Sequence, residues 1–345
     1  MTNPPIIIDG SRGEGGGQML RTSLALSMAT GRALRMTSIR ANRPKPGLMR
    51  QHVTAVETAA AVCGAAVAGA SVGSAVLDFA PGEVVPGDHE VRIGTAGSTT
   101  LVLQTVLCAL AFAASPSTIA IEGGTHNPHA PTVDFLRGAF LPALGRMGLL
   151  VDVACERPGF YPAGGGRIVA RIEPGSPKAL GLTQRGAILR GRATAMVAGL
   201  PGDIAVREIA VLRERLSSAP GFGGGDDCFR IEHRRDRGPG NVVTIEVEAE
   251  GAREVFVGFG AQGVPAEKVA HQAADEALAW IAADVPVGPH LADQLLLPMA
   301  LAGAGRFTTS SLSPHATTNI EVIERFLAAR FHTSELDGRV LVALE

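Results

Sequence analysis

The feature that most restricts this chain is an order of elements that occurs three times. A helix-like run, "GGGQMLRTSLALSMATGR", leads to the strand-like "LRMTSIR", a Pro/Gly loop and a second helix, "LMRQHVTAVETAAAVCG". The order returns with "GSTTLVLQTVLCALAFAA", "STIAIEG", the loop "GTHNPHAP" and "TVDFLRGAFLPALGRMG". It returns again with "LADQLLLPMALAGAG", "RFTTSS", the loop "LSPHATT" and "NIEVIERFLAARF". Each second helix precedes β-prone segments: "SAVLDFA", "GRIVARIEP" and "RVLVALE". Identity between the three stretches is low, so the order of periodicities carries the argument. It predicts repeated α/β units packed around one core.

The expected fold class is therefore α/β (α+β), with three βαβαββ-type units at about 1–85, 86–180 and 285–345. Residues 1–185 and 285–345 would form a large repeat domain. The stretch 186–284 reads differently, as a strand ("AILRGRATAMVAG"), a helix ("DIAVREIAVLRERLSS"), three strands ("CFRIEHRR", "NVVTIEVEAE", "EVFVGFG") and a helix. Ile204, Ile209, Leu212 and Leu216 stand near helical spacing with charges between them. This stretch is expected to be an inserted small α/β domain, with "GFGGGDD" and "RGPGN" as turns.

Composition narrows the setting. No apolar run reaches the roughly 20 residues that span a membrane, and "LVLQTVLCALAFAA" is interrupted by Gln104. The beginning of the sequence has a Pro-Pro pair and no basic n-region, so no signal peptide is expected. Cys63, Cys108, Cys155 and Cys228 are widely spaced without a C-x-x-C pair. They read as reduced thiols of a cytoplasmic protein. A net charge of −2 argues against indiscriminate binding to nucleic acid. Yet Arg32, Arg35, Arg40, Arg43, Lys45 and Arg50 crowd the segment 31–52 with no acidic residue among them. Such clustering suits either a solvated surface or a local anion site.

"GEGGGQMLR", residues 13–21, invites comparison with phosphate loops. A P-loop requires Lys and then Ser or Thr after its last glycine, and here Gln18 and Met19 stand there. The dinucleotide fingerprint fails at its sixth position, which is Gln18. If a helix begins at Gly13, Glu14, Gln18 and Arg21 fall at i, i+4 and i+7 on one face. A carboxylate, an amide and a guanidinium so placed can hold Mg²⁺ together with a polyanion, and equally suit a capping Glu and a solvated Arg. The three loops of the repeat contain Arg43, then His126 and His129, then His315. Equivalent loops should converge, and His315 suits either a surface loop residue or, as a neutral imidazole, a nucleophile near neutral pH. No nucleophile elbow or zinc-ligand spacing is present.

With these residues in view, the chain resembles the RNA 3′-terminal phosphate cyclases from end to end. The matching segments are "DGSRGEGGGQMLRTSLALS", "RANRPKPGLMRQH", "GSTTLVLQT", "GGTHNPHAPTVDF", "GFYPAGGG", "DRGPGN", "LADQLLLPMALAG" and "HATTNIEVIERF", in that order. The resemblance implies three units like the translation initiation factor 3 C-terminal fold plus an inserted domain. It also implies ATP-dependent conversion of an RNA 3′-phosphate to a 2′,3′-cyclic phosphate through a histidine–AMP and an RNA–adenylate, with release of pyrophosphate and AMP. His315 would be the nucleophile. Glu14 would be the ligand of a divalent metal, Mg or Mn, with Gln104 contributing from the second unit. Arg21, Arg40 and Arg43 would clamp phosphate, with Gln51 and His52 beside them. Gln18 would join the ATP contacts. Pro131 and the run His290, Leu291, Ala292, Asp293 and Gln294 would enclose adenine and ribose, Asp293 and Gln294 as polar contacts. The partners implied are ATP and RNA 3′-phosphate ends, with no membrane, and a homodimer is compatible. DNA ends lack the 2′-hydroxyl needed for closure.

Two positions depart from the family pattern. Pro158 stands where relatives have His or Arg, and His290 where an aromatic ring is common. A non-catalytic branch of the superfamily, active in ribosomal RNA processing, lacks the nucleophilic His that this chain retains as His315. An enolpyruvyl transferase would carry six units where three are found here.

Overall fold

The computed structural model describes residues 4–14, 16–234 and 238–344. Arg235, which ends "CFRIEHRR", and Asp236 and Arg237, which open "DRGPGN", lie outside the described residues. The first unit runs β1 (Ile6–Asp9), α1 (Gly17–Thr30), β2 (Leu34–Thr37), α2 (Arg50–Cys63), β3 (Ala66–Ala68) and β4 (Leu77–Ala80). The second runs β5 (Asp88–Arg92), α3 (Thr99–Ala111), β6 (Ser117–Gly123), α4 (Val133–Phe135), a π turn Leu136–Phe140, α5 (Leu141–Arg146), β7 (Val151–Arg157) and β8 (Gly166–Ile172). A short strand β9 (Leu180–Leu182) follows.

Then come β10 (Ile188–Ala198), α6 (Asp203–Leu216), β11 (Phe229–Arg234), β12 (Gly240–Ala249), β13 (Arg253–Phe259) and α7 (Ala266–Ala283). The chain ends with α8 (Pro289–Ala302), β14 (Gly305–Thr309), α9 (Pro314–Phe326), β15 (Phe331–Leu336) and β16 (Arg339–Leu344).

Three of the four sheets share one topology: β1-β2-β4-β3, β5-β6-β8-β7 and β9-β14-β16-β15. In each, the first pair is parallel and the others antiparallel. The third sheet takes its first strand from β9, so the stretch 186–284 enters between that unit's first strand and first helix. Periodicity could not place β9, because Leu-Gly-Leu is too short to show an alternation. The fourth sheet, β11-β10-β12-β13, has its own core with α6 and α7.

The helices of the three units pack on one another, α1 against α3 and α9, α2 against α3, and α8 against α9. Strand alternation matches this arrangement: Ile6 and Ile8 are buried while Ile7 is 64% exposed. α3 lies in the middle, and Gln104 is the only one of its residues not buried. Each fully buried Leu or Val there contributes about 1.5–3 kcal/mol relative to exposure. The result is a rigid helical centre at which the N-terminal turns of several helices present polar side chains.

Glu254, at the start of β13, locks the inserted segment to this centre. Its carboxylate is 2% exposed and accepts hydrogen bonds from the Gly288 and Val255 amides at 2.6 and 3.2 Å. Gly288 is the N-cap of α8. Burial pushes the Glu254 carboxyl up to about 8.

Candidate active site

The helix expected to begin at Gly13 begins four residues later. Gly13 adopts φ +54°, Gly16 is the extended N-cap, and α1 starts at Gly17. Glu14 therefore reaches the site from a loop, while Gln18 and Arg21 share the helix face. The glycines admit neighbours: a Cβ on Gly13 would strike Thr318, and one on Gly17 would strike the His52 ring. Their use here is close packing of site side chains against backbone.

His315 sits in the first turn of α9, after Pro314 and the capping Ser313, whose hydroxyl accepts from the Ala316 amide at 3.1 Å. Its side chain is 48% exposed. Nδ1 lies 3.0 Å from Gln18 Oε1, and Nε2 lies 4.0 Å from Glu14 Oε1. The Glu14 amide donates to Thr318 Oγ1 at 3.1 Å, and its Oε2 accepts from Arg43 Nη2 at 2.5 Å. The first and third units thus meet at a carboxylate, a guanidinium and an imidazole.

Behind His315, Gln18 Nε2 donates to Asp293 Oδ1. Asn319 and Gln294 donate to the same carboxylate at 3.3 and 3.2 Å. Gln104 reaches across from α3 and donates to Gln294 Oε1. Burial pushes the Asp293 carboxyl up, against the bonds from Gln18 and Asn319 and the charges of His315 and Arg21. Burial likewise lowers Arg21 to about 10, opposed by the Asp293 charge. His52 is 6% exposed and accepts from the Met49 amide through Nδ1 at 3.0 Å. Burial, then Arg21 and Arg40, hold its pKa down at about 3. It is a neutral ring whose Nε2 bears the proton.

The remaining expected residues are placed less centrally. Arg40 donates to the carbonyls of Lys45 and Gly47 at 2.7 and 2.8 Å, closing its own loop. Gln51 accepts from the Ser98 amide at 3.2 Å, and the Pro131 carbonyl accepts from the Thr100 hydroxyl at 2.6 Å. Both contacts lie at the start of α3. His290 faces Glu276 of α7. Leu291 and Ala292 are buried in the core and offer the site no side chain.

Among the described residues, neither histidine of the second loop forms a hydrogen bond or ion pair with Arg43 or His315. His126 is buried, and exposed His129 adopts φ +63°. Asn319, Thr318 and Thr22 are additions that sequence reasoning missed. Helical spacing could have found them, since Asn319 is i+4 from His315 and Thr22 is i+4 from Gln18.

Two hollows are lined by neighbours of His315 in sequence or hydrogen bonding. A small, partly open one of about 50 Å³ is lined by Gln18, Arg21, Gln104, Asp293 and Gln294 among others. An open groove of about 450 Å³ runs past Glu14, Asn42, Arg43, Thr317 and Glu321. Among the described residues no group of three or more His, Cys, Asp or Glu could hold a metal. Glu14 alone suits a hard cation that takes one carboxylate and completes its shell with substrate phosphates and water.

Fold and site together define an α/β repeat protein whose helix-lined cleft sets an exposed imidazole among arginines, amides and a carboxylate. The family model described as RNA 3′-terminal phosphate cyclase matches residues 12–333. A Ralstonia nicotianae protein named RNA 3′-terminal phosphate cyclase is 53% identical over 326 residues, 94% of this chain and 92% of that protein. Proteins of the same name from Koribacter versatilis and Pseudomonas aeruginosa are 49% identical over 340 residues and 50% over 334 residues. These alignments cover 98% and 96% of this chain, and 94% and 96% of those proteins. The chain belongs to the RNA 3′-terminal phosphate cyclase family. No helix among the described residues is long and apolar enough to cross a membrane.

Proposed function

We propose that the protein uses ATP to convert an RNA 3′-terminal phosphate into a 2′,3′-cyclic phosphate, with His315 as the covalent nucleophile. The observation that carries this reading is the setting of His315. One ring nitrogen is engaged by Gln18, and the other faces the Glu14–Arg43 pair on the open side.

In the first step Nε2 attacks the α-phosphorus of ATP, a P–N bond forms and the bond to pyrophosphate breaks. An oxygen of the RNA 3′-phosphate then attacks the histidine-bound phosphorus, and the P–N bond breaks to leave an RNA–adenylate. Finally the terminal 2′-hydroxyl attacks the activated 3′-phosphorus, loses its proton and expels AMP. The phosphate of a 3′-monoester lacks a good leaving group, so adenylation divides a hard displacement into easier ones. The adjacent 2′-hydroxyl needs no capture from solution.

Arg21 and Arg43 flank the reacting centre and offset phosphate charge. Neutral His52 supplies a donor without adding to the repulsion among the arginines. Glu14 would hold Mg²⁺ or Mn²⁺, which when bound screens charge on the nucleotide phosphates. Adenosine needs far more room than the small hollow offers, so entry would part Gln104 from Gln294, and the freed amides would become base and ribose contacts. The RNA end enters by the groove beside Arg43. The thiols Cys63, Cys108, Cys155 and Cys228 are free, which suits a reducing cytoplasm.

The test is incubation with ATP labelled at the α-phosphate and Mg²⁺ or Mn²⁺. An acid-labile, alkali-stable protein adenylate is expected, absent from His315→Ala. Labelling that persists in His315→Ala refutes the nucleophile. A 3′-phosphorylated oligoribonucleotide should acquire a phosphatase-resistant end, and an end that stays removable refutes the cyclase reading.

A further inference from the structure

The amides behind His315 form a chain with a fixed direction. Asp293 receives N–H groups from Gln18, Asn319 and Gln294. Each neighbouring amide is oriented by something else as well. Gln294 Oε1 is taken by the Gln104 amide, and Asn319 Oδ1 accepts the Thr22 hydroxyl at 2.7 Å. Three nitrogens therefore converge on one carboxylate, which as an ion can only accept. Turning the Gln18 amide over would set its oxygen against that carboxylate. With its nitrogen committed to Asp293, Gln18 presents Oε1 to His315 Nδ1 at 3.0 Å. A carbonyl oxygen cannot donate, so the ring nitrogen must.

We infer that Asp293, acting through Gln18, holds the proton of neutral His315 on Nδ1 and keeps Nε2 unprotonated on the Glu14 side. Free histidine at neutral pH favours the opposite tautomer, with Nε2 protonated and unable to attack. The chain Asp293–Gln18–His315 thus selects the reactive nitrogen before ATP arrives. Asp293 and Gln18 are positioning residues here, comparable in role to the carboxylate that orients the histidine of a hydrolase triad. The amide between them transmits orientation without transferring charge. Gln104, Gln294, Asn319 and Thr22 hold the two positioning groups in place, which connects α3 of the second unit to the chemistry of the third. The consequence for catalysis rests on the nucleophile assignment above, but the tautomer itself does not.

The experiment is two-bond ¹⁵N–¹H correlation NMR on ligand-free, histidine-labelled protein, with His315→Asn assigning the ring. The expected spectrum has a protonated Nδ1 and an unprotonated Nε2. A predominantly Nε2-protonated His315 in the unaltered protein overturns the inference. Gln18→Met removes the acceptor at similar length and should shift the population toward Nε2–H, slowing adenylate formation by about 10²-fold. Gln18→Glu can share a proton with Asp293 while an oxygen still accepts from Nδ1. It should keep the original tautomer and recover part of the rate. An unchanged tautomer in Gln18→Met also overturns the inference. Because the tautomer is read without ATP, the outcomes separate. Nδ1–H without any adenylate refutes the cyclase reading alone, whereas adenylation from a ring protonated at Nε2 refutes only this inference.

Discussion

His126 and His315 both follow the second strand of a unit, His126 in the loop and His315 in the first helical turn after it, and they meet opposite fates. His126 is 3% exposed, with Nδ1 2.8 Å from Thr125 Oγ1 and Nε2 2.9 Å from Asp134. Its ring stacks on Phe160, centroids 5.3 Å apart. Thr125 Oγ1 also accepts from the Gly159 amide at 2.9 Å, so the loop is stitched to the "GFYPAGGG" turn. Phe160 in turn packs on Ala198 and Val242 of the inserted segment. Both nitrogens of His126 are consumed and water is excluded. His315 is half exposed and has a single hydrogen-bonded nitrogen. The comparison teaches that a histidine of this connection serves as an anchor when both ring nitrogens are satisfied in the interior. In the proposed reaction the other histidine serves as the reagent, with one nitrogen left facing a charged opening.

Exchange of each ring for Ala tests this contrast most severely. His315→Ala should abolish adenylate formation while thermal stability stays within about 0.5 kcal/mol, as for an exposed site. His126→Ala should leave Asp134 and Thr125 without their partner and lose about 2–4 kcal/mol in denaturant unfolding. Its folded fraction should still form the adenylate. A His126→Ala protein of normal stability and no activity would reverse the two roles.

Next in size is Arg43, which belongs to the reagent side through Glu14. Arg43→Ala should slow adenylation by about 10²-fold, the order seen when one donor to a developing charge is removed. Arg43→Lys should recover little of it, since a point charge cannot reproduce the guanidinium fork. Rate recovery by Lys would show that charge alone suffices.

The anchor side has a pH signature. Burial acts to raise the Asp134 carboxyl, but the His126 bond and charge outweigh it, and the net shift is downward from 3.8. A depressed folded pKa contributes stability that is present above the unfolded value and lost as pH falls through the folded one. Unfolding free energy should therefore drop below about pH 4 more steeply in the native protein than in Asp134→Asn. Equal slopes would remove the ion pair from the account. The smallest effect belongs to His129, exposed at φ +63°. His129→Gly should stabilise by about 0.5 kcal/mol by relieving a left-handed residue, measurable as a small rise in melting temperature with unchanged adenylation.

Much of this was legible in the chain. The three units were visible because each strand and helix divides core from solvent within a few residues, as Ile6, Ile7 and Ile8 do in β1. Gln18 and Arg21 share a helix face by spacing alone. Gln104 stood out as the polar break in an apolar run, and α3 leaves only that residue unburied. β9 escaped notice because a three-residue strand has no period to read. Glu14 was expected on the helix, but the backbone at Gly13 and Gly16 delays the first turn. Leu291 and Ala292 match the motif yet face inward, because a motif does not say which side of α8 packs on the core.

The sequence by itself therefore determined the mixed α/β class, the alternation of its strands and helices, and the residue types available for phosphate chemistry. These depend on local periodicity and on side chains whose chemistry is fixed by identity. Only the tertiary structure decided which histidine keeps a ring nitrogen open to solvent, that Glu14 stands beside it with Arg43 paired to that carboxylate, and which way the amides point. Gln18 and His315 lie 297 residues apart, and their hydrogen bond exists only because α1 packs against α9. Burial and partnering are properties of that packing, so the difference between His126 and His315 arises where distant helices meet.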